Sequence, residues 1–194
     1  MLRLTSSFLN NSNSSSSRVH SHVTFEVISW MLGLLIRVYY VGVLKYMGCL
    51  ICQKHRGEVS VAGGVIFEDD LAYAGHVGIR ERQSTAYLGY LMVETKCHVP
   101  SLADLTDPEA QALGLLIIHL SKALKETEGA EHIYVFVLGH HVPHLHIHIV
   151  LRYPGTPRKY WGINVDKWAD APRGGPKKIE LVCARLRAHL KRMR

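Results

Sequence analysis

Two periodicities organise the chain from residue 48 onward: short apolar runs of strand type, and two longer stretches in which apolar residues recur every three or four positions. Residues 63–75, GGVIFEDDLAYAG, read as two short strands on either side of a Glu68-Asp69-Asp70 turn. Residues 87–94, YLGYLMVE, read as a third strand. A helix follows, opened by a capping box with Thr106 as N-cap and Glu109 three residues later, and with Asp107 at its positive end. Leu113, Leu116, Ile117, Leu120 and Leu124 then fall at helical spacing, and Gly129 closes the helix. Residues 132–138 and 144–151 read as a fourth and a fifth strand, joined as a hairpin across GHHVP. A last helix, over about residues 176–192, carries the stripe Ile179, Val182, Leu186 and Leu190. Strands, a long helix, more strands and a final helix predict an α+β domain. Its antiparallel sheet, of about five strands, would pack against one long helix, with a basic C-terminal helix added.

The upstream pattern differs. Residues 5–17, TSSFLNNSNSSSS, are polar and of low complexity, and cannot bury enough surface to fold. Residues 27–44, VISWMLGLLIRVYYVGVL, form an apolar run of about membrane-spanning length, interrupted only by Arg37. Three readings stand side by side: a membrane anchor, an over-long start with the natural one at Met47, or an amphipathic or signal-like extension. The expected organisation is an N-terminal extension over 1–46, a domain over 47–160, and a C-terminal extension with a basic helix over 161–194. Residues 1–46 are set aside from the chemistry.

Charge changes the picture less than its total suggests. The net charge is +7 and the sequence pI is about 9.3. Residues 1–46 hold four basic side chains against Glu26, and residues 176–194 hold seven against Glu180, which leaves −2 on the stretch between them. The basicity lies in the tails, so the central domain has no field that would gather nucleic acid in general, and no specific nucleic-acid partner is expected. The four cysteines, at 49, 52, 97 and 183, do not form a disulfide framework, which favours a reduced, cytoplasmic setting.

The chemistry concentrates in HLHIHIV, residues 144–150. Strand alternation puts His144, His146 and His148 on one face, about 6.5–7 Å apart at Cα, and turns Leu145, Ile147 and Ile149 into the core. Such a row can ligate a metal such as zinc or iron. It can also do nucleophilic and acid–base work on an anionic substrate, because imidazole is partly neutral near pH 7. A polar outer face that is merely rich in histidine is the bland alternative, weakened by His140 and His141 in the adjacent turn. Cys49 and Cys52 stand at zinc-ligand spacing, yet C-x-x-C alone fits a metal pair, a redox pair or ordinary thiols. A thioredoxin-like reading needs the pair to open a helix in a βαβ unit, and an antiparallel pattern follows instead.

HLHIHIV matches the His-φ-His-φ-His-φ-φ signature (φ apolar) of the histidine triad, or HIT, superfamily, which the chain resembles over about residues 48–160. CLIC near the domain start, IFEDDLAYAG, YLGYLMVETKCHVPSLADL, the capped helix and VPHLHIHIVLRYPG stand in the order such proteins show. The chain looks like the bacterial branch that carries a structural zinc, and the resemblance implies a HIT-like fold. It implies a nucleotide hydrolase or transferase acting at an α-phosphate, on dinucleoside polyphosphates or nucleoside phosphoramidates. His146 would attack phosphorus to give a nucleotidyl-histidine, which water resolves. His148 would hydrogen-bond the phosphate or help protonate the leaving group. The zinc would sit on Cys49, Cys52, His98 and His144, and a homodimer is implied.

Two departures from the family stand out. Many relatives place Gly-Gln-Ser before the triad to bind phosphate, where this chain has Gly139, His140 and His141; the two histidines are the candidates for that role. Relatives often carry an Asp or Asn after the second strand to grip the ribose, where this chain has Ala74, Gly75 and His76, and no ribose clamp is assigned. Two rival classes remain: a mononuclear metalloenzyme whose histidine row holds a catalytic ion, which would want a nearby carboxylate absent from 139–151, and a nucleotide-binding regulator with little turnover.

Overall fold

A computed structural model describes residues 48–193, so the apolar run at 27–44 and the rest of the N-terminal extension lie outside the described residues. A short helix α1 (Leu50–His55) leads into strands β1 (Val65–Glu68), β2 (Ala72–His76), β3 (Ala86–Tyr87) and β4 (Tyr90–Thr95). Helix α2 (Asp107–Glu128) follows, then β5 (His132–Phe136), β6 (His146–Arg152), β7 (Arg173–Gly174) and helix α3 (Pro176–Arg192). Five strands form one sheet in the order β1-β2-β4-β6-β5, and every pairing in it is antiparallel. This is the α+β architecture that the periodicities predict.

The local devices behave as the residues dictate. The Asp69 carboxylate accepts from the backbone N–H of Leu71 and Ala72, closing the β1–β2 turn. Glu109 accepts from both the backbone N–H and the hydroxyl of Thr106, and Gly129 ends α2 at φ 68°. One sheet face presents Ala72, Ala74, Leu91, Val93, Ile147 and Ile149, all buried, to the apolar stripes of α2 and α3. Helix α3 packs on α2, and its predicted stripe Ile179, Val182, Leu186 and Leu190 is buried in this core with Cys183. Part of its basic charge is used internally: Arg185 pairs with Glu128, and Arg187 donates to the carbonyls of Gly63 and Val65.

Three segments differ from the sequence reading. The stretch 87–94 is broken at Gly89, φ 74°, where a Cβ would lie 1.8 Å from Leu151 Cδ2. The chain therefore spends Ala86–Tyr87 on a separate two-stranded ribbon with β7 and begins β4 only at Tyr90. The fifth strand enters the ladder at His146 and not at His144. Cys49 caps a helix that local pattern did not reveal, so the cysteine pair does open a helix; with an all-antiparallel sheet after it, the βαβ context of a thioredoxin-like site is missing.

Candidate active site and metal centre

The sheet face away from the helices carries the chemistry. Register places Glu94 opposite His146 and Met92 opposite His148 across the β4–β6 pair, with Phe136 opposite His148 on the other side. The alternation expected for the histidine row holds: Leu145, Ile147 and Ile149 are buried in the core. His144 and His146 are nevertheless buried too, and His148 is half-buried, because α1 and the segments around the sheet wall off this face.

His146 is held by its own strand. Its Nδ1 lies 2.7 Å from the His144 carbonyl oxygen, and since a carbonyl can only accept, Nδ1 carries the proton. A neutral ring then presents Nε2 with its lone pair free. The ring forms part of the wall of a cavity of about 230 Å³ whose lining is mostly apolar, with Leu50, Ile51, Val59, Val61 and Met92, but also includes Lys54 and Glu94. His148 sits next in the row, its ring centroid 5.1 Å from that of His146. The Tyr90 hydroxyl lies 3.0 Å from His148 Nδ1. Burial, with the charges of His146 and Arg80, pushes His148 down to about 4, so its ring is neutral at pH 7.

Glu94 was not singled out from the sequence, because nothing local marks a glutamate in an apolar strand as functional; only the register brings it beside His146. Its carboxylate is 1% exposed and pairs with Lys54 Nζ and, at 3.0 Å, with His55 Nε2. Burial would raise its pKa, but the His55 hydrogen bond and the Lys54 charge outweigh burial and hold the group ionised below its ordinary range. The carboxylate wanted by a metalloenzyme reading is therefore present, though already committed to two partners from α1.

His140 and His141 are both exposed in the β5–β6 connection, with ring centroids 6.2 Å apart. His76 is buried, its Nδ1 2.7 Å from the Val77 carbonyl and its Nε2 accepting from the Gly89 N–H, so it anchors a turn and is no ribose clamp.

Cys49, Cys52, His98 and His144 converge, as expected from the sequence resemblance. Their ligand atoms all lie within 4.8 Å of one another, and among the described residues this is the one cluster of His, Cys, Asp or Glu side chains that can hold a metal ion. Cys49 Sγ and Cys52 Sγ are each 3.5 Å from His144 Nδ1, and Cys52 Sγ is 3.3 Å from His98 Nδ1. Tetrahedral zinc with Zn–S and Zn–N bonds of about 2.3 and 2.0 Å requires sulfur–nitrogen edges of about 3.5 Å. The donor set fits: two soft sulfurs, two imidazoles and no open position, the mark of a structural site. His144 turns its other nitrogen, Nε2, to the Thr95 carbonyl at 2.8 Å, the outer-shell bond that orients a metal-binding imidazole. Cys97 is exposed and Cys183 lies in the core, and neither joins the cluster.

The model of the HIT domain matches residues 61–155. Among solved structures, the chain is similar to a zinc-bound histidine triad family protein from Mycobacterium smegmatis, at 21% identity and a TM-score of 0.56, covering 76% of this chain and 96% of that one. It is similar to a HIT-like protein involved in cell-cycle regulation from Bartonella henselae, at 21% identity and a TM-score of 0.55, covering 73% and 96%. A hypothetical histidine triad nucleotide-binding protein from Sulfolobus tokodaii matches at 17% identity and a TM-score of 0.56, covering 75% and 93%. A comparison with curated proteins found no match. The structural likenesses at these identities speak for the fold, and the domain match speaks for descent. Residues 61–155 are thus a HIT domain of the histidine triad family, and the fold around them is the one its solved relatives share.

Proposed function

We propose that the protein is a nucleotide hydrolase or transferase that acts at a nucleotide α-phosphate through a nucleotidyl-histidine on His146. One observation carries the reading: the bond from His146 Nδ1 to the His144 carbonyl fixes the tautomer and so keeps the proton off Nε2, on a buried ring that lines the cavity. The apolar cavity beside it suits a nucleoside base. In the first step His146 Nε2 bonds to phosphorus as the bond to the leaving group breaks, and the electron pair departs with that group. Water then attacks phosphorus, the P–N bond breaks, and the nucleoside monophosphate leaves with the ring restored to neutrality. Two displacements replace one difficult one.

His148 is the assisting group. In the tautomer that accepts the Tyr90 hydroxyl proton at Nδ1, the neutral ring carries its own proton on Nε2, where it can hydrogen-bond a phosphoryl oxygen or the departing atom. His140 and His141, exposed at the loop before the strand, are the proposed phosphate donors in place of the family's amide and hydroxyl. Cys49, Cys52, His98 and His144 are proposed to hold a structural zinc, which ties α1 to the strand that bears the nucleophile. A reduced, cytoplasmic setting and a homodimer complete the proposal.

The test is intact-mass trapping. Incubation with a nucleoside phosphoramidate should add one nucleoside monophosphate to the wild-type chain and nothing to His146→Asn. A His146→Asn protein that turns over normally sinks the reading.

A further inference from the structure

Leu50, Ile51, Val59, Val61 and Met92 give the cavity beside His146 the lining that the flat faces of a nucleobase need. Two charged side chains break it. Lys54 reaches the cavity from α1 and Glu94 from β4, and the ammonium donates to the carboxylate. The lining holds two other titratable side chains, His146 itself and His76, and both His76 nitrogens are committed to Val77 and Gly89. Burying an ionised carboxylate at the wall of a cavity is unfavourable, and a bonding partner that arrives with the ligand would offset part of that penalty.

We propose that Glu94 and Lys54 read the edge of the base and select guanine over adenine; the inference rests on the reading of His146 given above. Unused hydrogen-bonding capacity supports it first. A carboxylate has about four acceptor sites, and among the described residues Glu94 fills one on Oε1 with Lys54 Nζ and one on Oε2 with His55 Nε2. Each oxygen keeps a site, and the N1–H and N2–H donors of guanine match the two as a fork. Lys54 gives one N–H to Glu94, and its ammonium stands 4.7 Å from the centre of the Tyr73 ring. A further N–H of the same ammonium suits the guanine O6, which lies next to N1.

Direction supports it second. Glu94 stands opposite His146 across the β4–β6 pair, and its two bonds draw the carboxylate toward α1. The same helix brings Cys52 to His144, so α1 lies at the His144 end of the histidine row. His148, the group assigned to the phosphate, is at the other end. A nucleotide with its phosphorus at His146 and its phosphate oxygens toward His148 therefore carries its base toward Lys54 and Glu94.

Adenine presents the reverse pattern. Its N1 accepts and its N6 donates, so N1 would oppose the carboxylate and N6–H the ammonium. A site built around particular donors and acceptors rejects a base that lacks their partners, because its own buried groups are left unpaired.

The experiment gives the full chain three phosphoramidates that differ only in the base: guanosine, inosine and adenosine. Inosine keeps N1–H and O6 but lacks the amino group. The expected order of kcat/KM is guanosine, inosine, adenosine, with the first about ten- to a hundredfold above the last. Glu94→Gln should reduce that ratio to about threefold or less, since an amide can accept from adenine N6–H and donate to N1. Lys54→Met should reduce it as well. The ratio is taken within one protein, so a change in folded fraction cancels, and a purely structural role of the pair would leave it unmoved. If neither variant folds, inosine decides in the wild type: a rate between the other two sustains the inference, and a rate at the level of adenosine overturns it. Equal rates on guanosine and adenosine, a preference for adenosine, or a wild-type ratio kept in Glu94→Gln also overturn it and leave the role of His146 standing. If the wild-type chain turns over none of the three, the reading of His146 fails instead. The cavity is then judged by calorimetry with guanosine and adenosine monophosphates: a Kd about tenfold or more tighter for the guanosine compound sustains the inference, and a smaller difference overturns it.

Discussion

Removing the metal should cost stability far more than it costs chemistry. The cluster links Cys49 to His144 across 95 residues, and Cys52 to His98 across 46. A permanent link closing a loop of roughly 100 residues removes unfolded-state freedom worth about 4.7 kcal/mol at 25 °C in the chain-entropy model. For a domain of about 150 residues each kcal/mol moves Tm by about 2–4 °C, so stripping should lower Tm by about 9–19 °C. The assay is differential scanning of the full chain with and without a strong chelator, beside elemental analysis for zinc. Cys52→Ala should carry less than one zinc per chain and melt near the stripped wild type. Turnover at about 25 °C should follow the folded fraction and not the zinc content. A zinc-loaded wild type whose Tm does not move on chelation refutes the cross-link reasoning. Abolished turnover in a chelated protein that is still folded would point to a catalytic metal.

Other perturbations read other parts of the same design. Gly89→Ala forces a side chain into φ 74° and onto Leu151, and should destabilise by about 2–4 kcal/mol in urea unfolding. Leu120→Ala, at a fully buried position in α2, should cost about 2–5 kcal/mol in the same assay. His148 is held below its unfolded pKa of about 6.5, so between that value and about 4 the unfolded chain binds the extra proton and stability falls as pH drops. The groups facing it are Tyr90, His146, Arg80, Asp166 and Glu94. His148→Gln should flatten the acid limb of a stability–pH curve in that window, and an unchanged limb would place its cause elsewhere. Tyr90→Phe should lower kcat while leaving KM within a fewfold, because it removes the hydrogen bond that holds the His148 ring and not a group that binds the base.

What the sequence disclosed, and what it concealed, follows from the range of the interactions. Capping boxes, helical stripes and strand alternation are local, so α2, α3 and the buried positions Leu145, Ile147 and Ile149 were legible at once. The full set of zinc ligands was legible only through the resemblance, since Cys49 and Cys52 stand at ligand spacing but His98 and His144 have no local signal that joins them to that pair. Gly89 misled because its neighbours are strong strand formers, and the reason for the break is Leu151 from another strand. Glu94 was invisible for a related reason. A glutamate in YLMVET is read as a solvent-facing residue of a half-buried strand, and only the α1 cations Lys54 and His55 over it allow the carboxylate to be buried.

One residue joins the metal centre to the chemistry, and its bonds explain why the two can still be separated by experiment. His144 gives Nδ1 to the cluster, while its backbone carbonyl fixes the proton of His146. If the metal alone placed that carbonyl, stripping would randomise the His146 tautomer. Other bonds hold the same segment. The His144 Nε2 is tied to the Thr95 carbonyl, the next residue, Leu145, donates its N–H to the Val99 carbonyl, and the ladder pairs His146 with Glu94. Each of these persists as long as β4 and β6 stay paired, and that pairing is at the centre of the sheet. Loss of the metal therefore frees α1 first, and with it Lys54 and His55 above the buried Glu94 carboxylate. An uncompensated buried charge is costly, so the strand pair would be weakened through Glu94 more than through His144. Glu94→Gln should accordingly narrow the Tm gap between zinc-loaded and stripped protein, because the amide no longer depends on α1 for its charge balance. A gap as wide in Glu94→Gln as in the wild type would mean that the cluster acts through chain entropy alone.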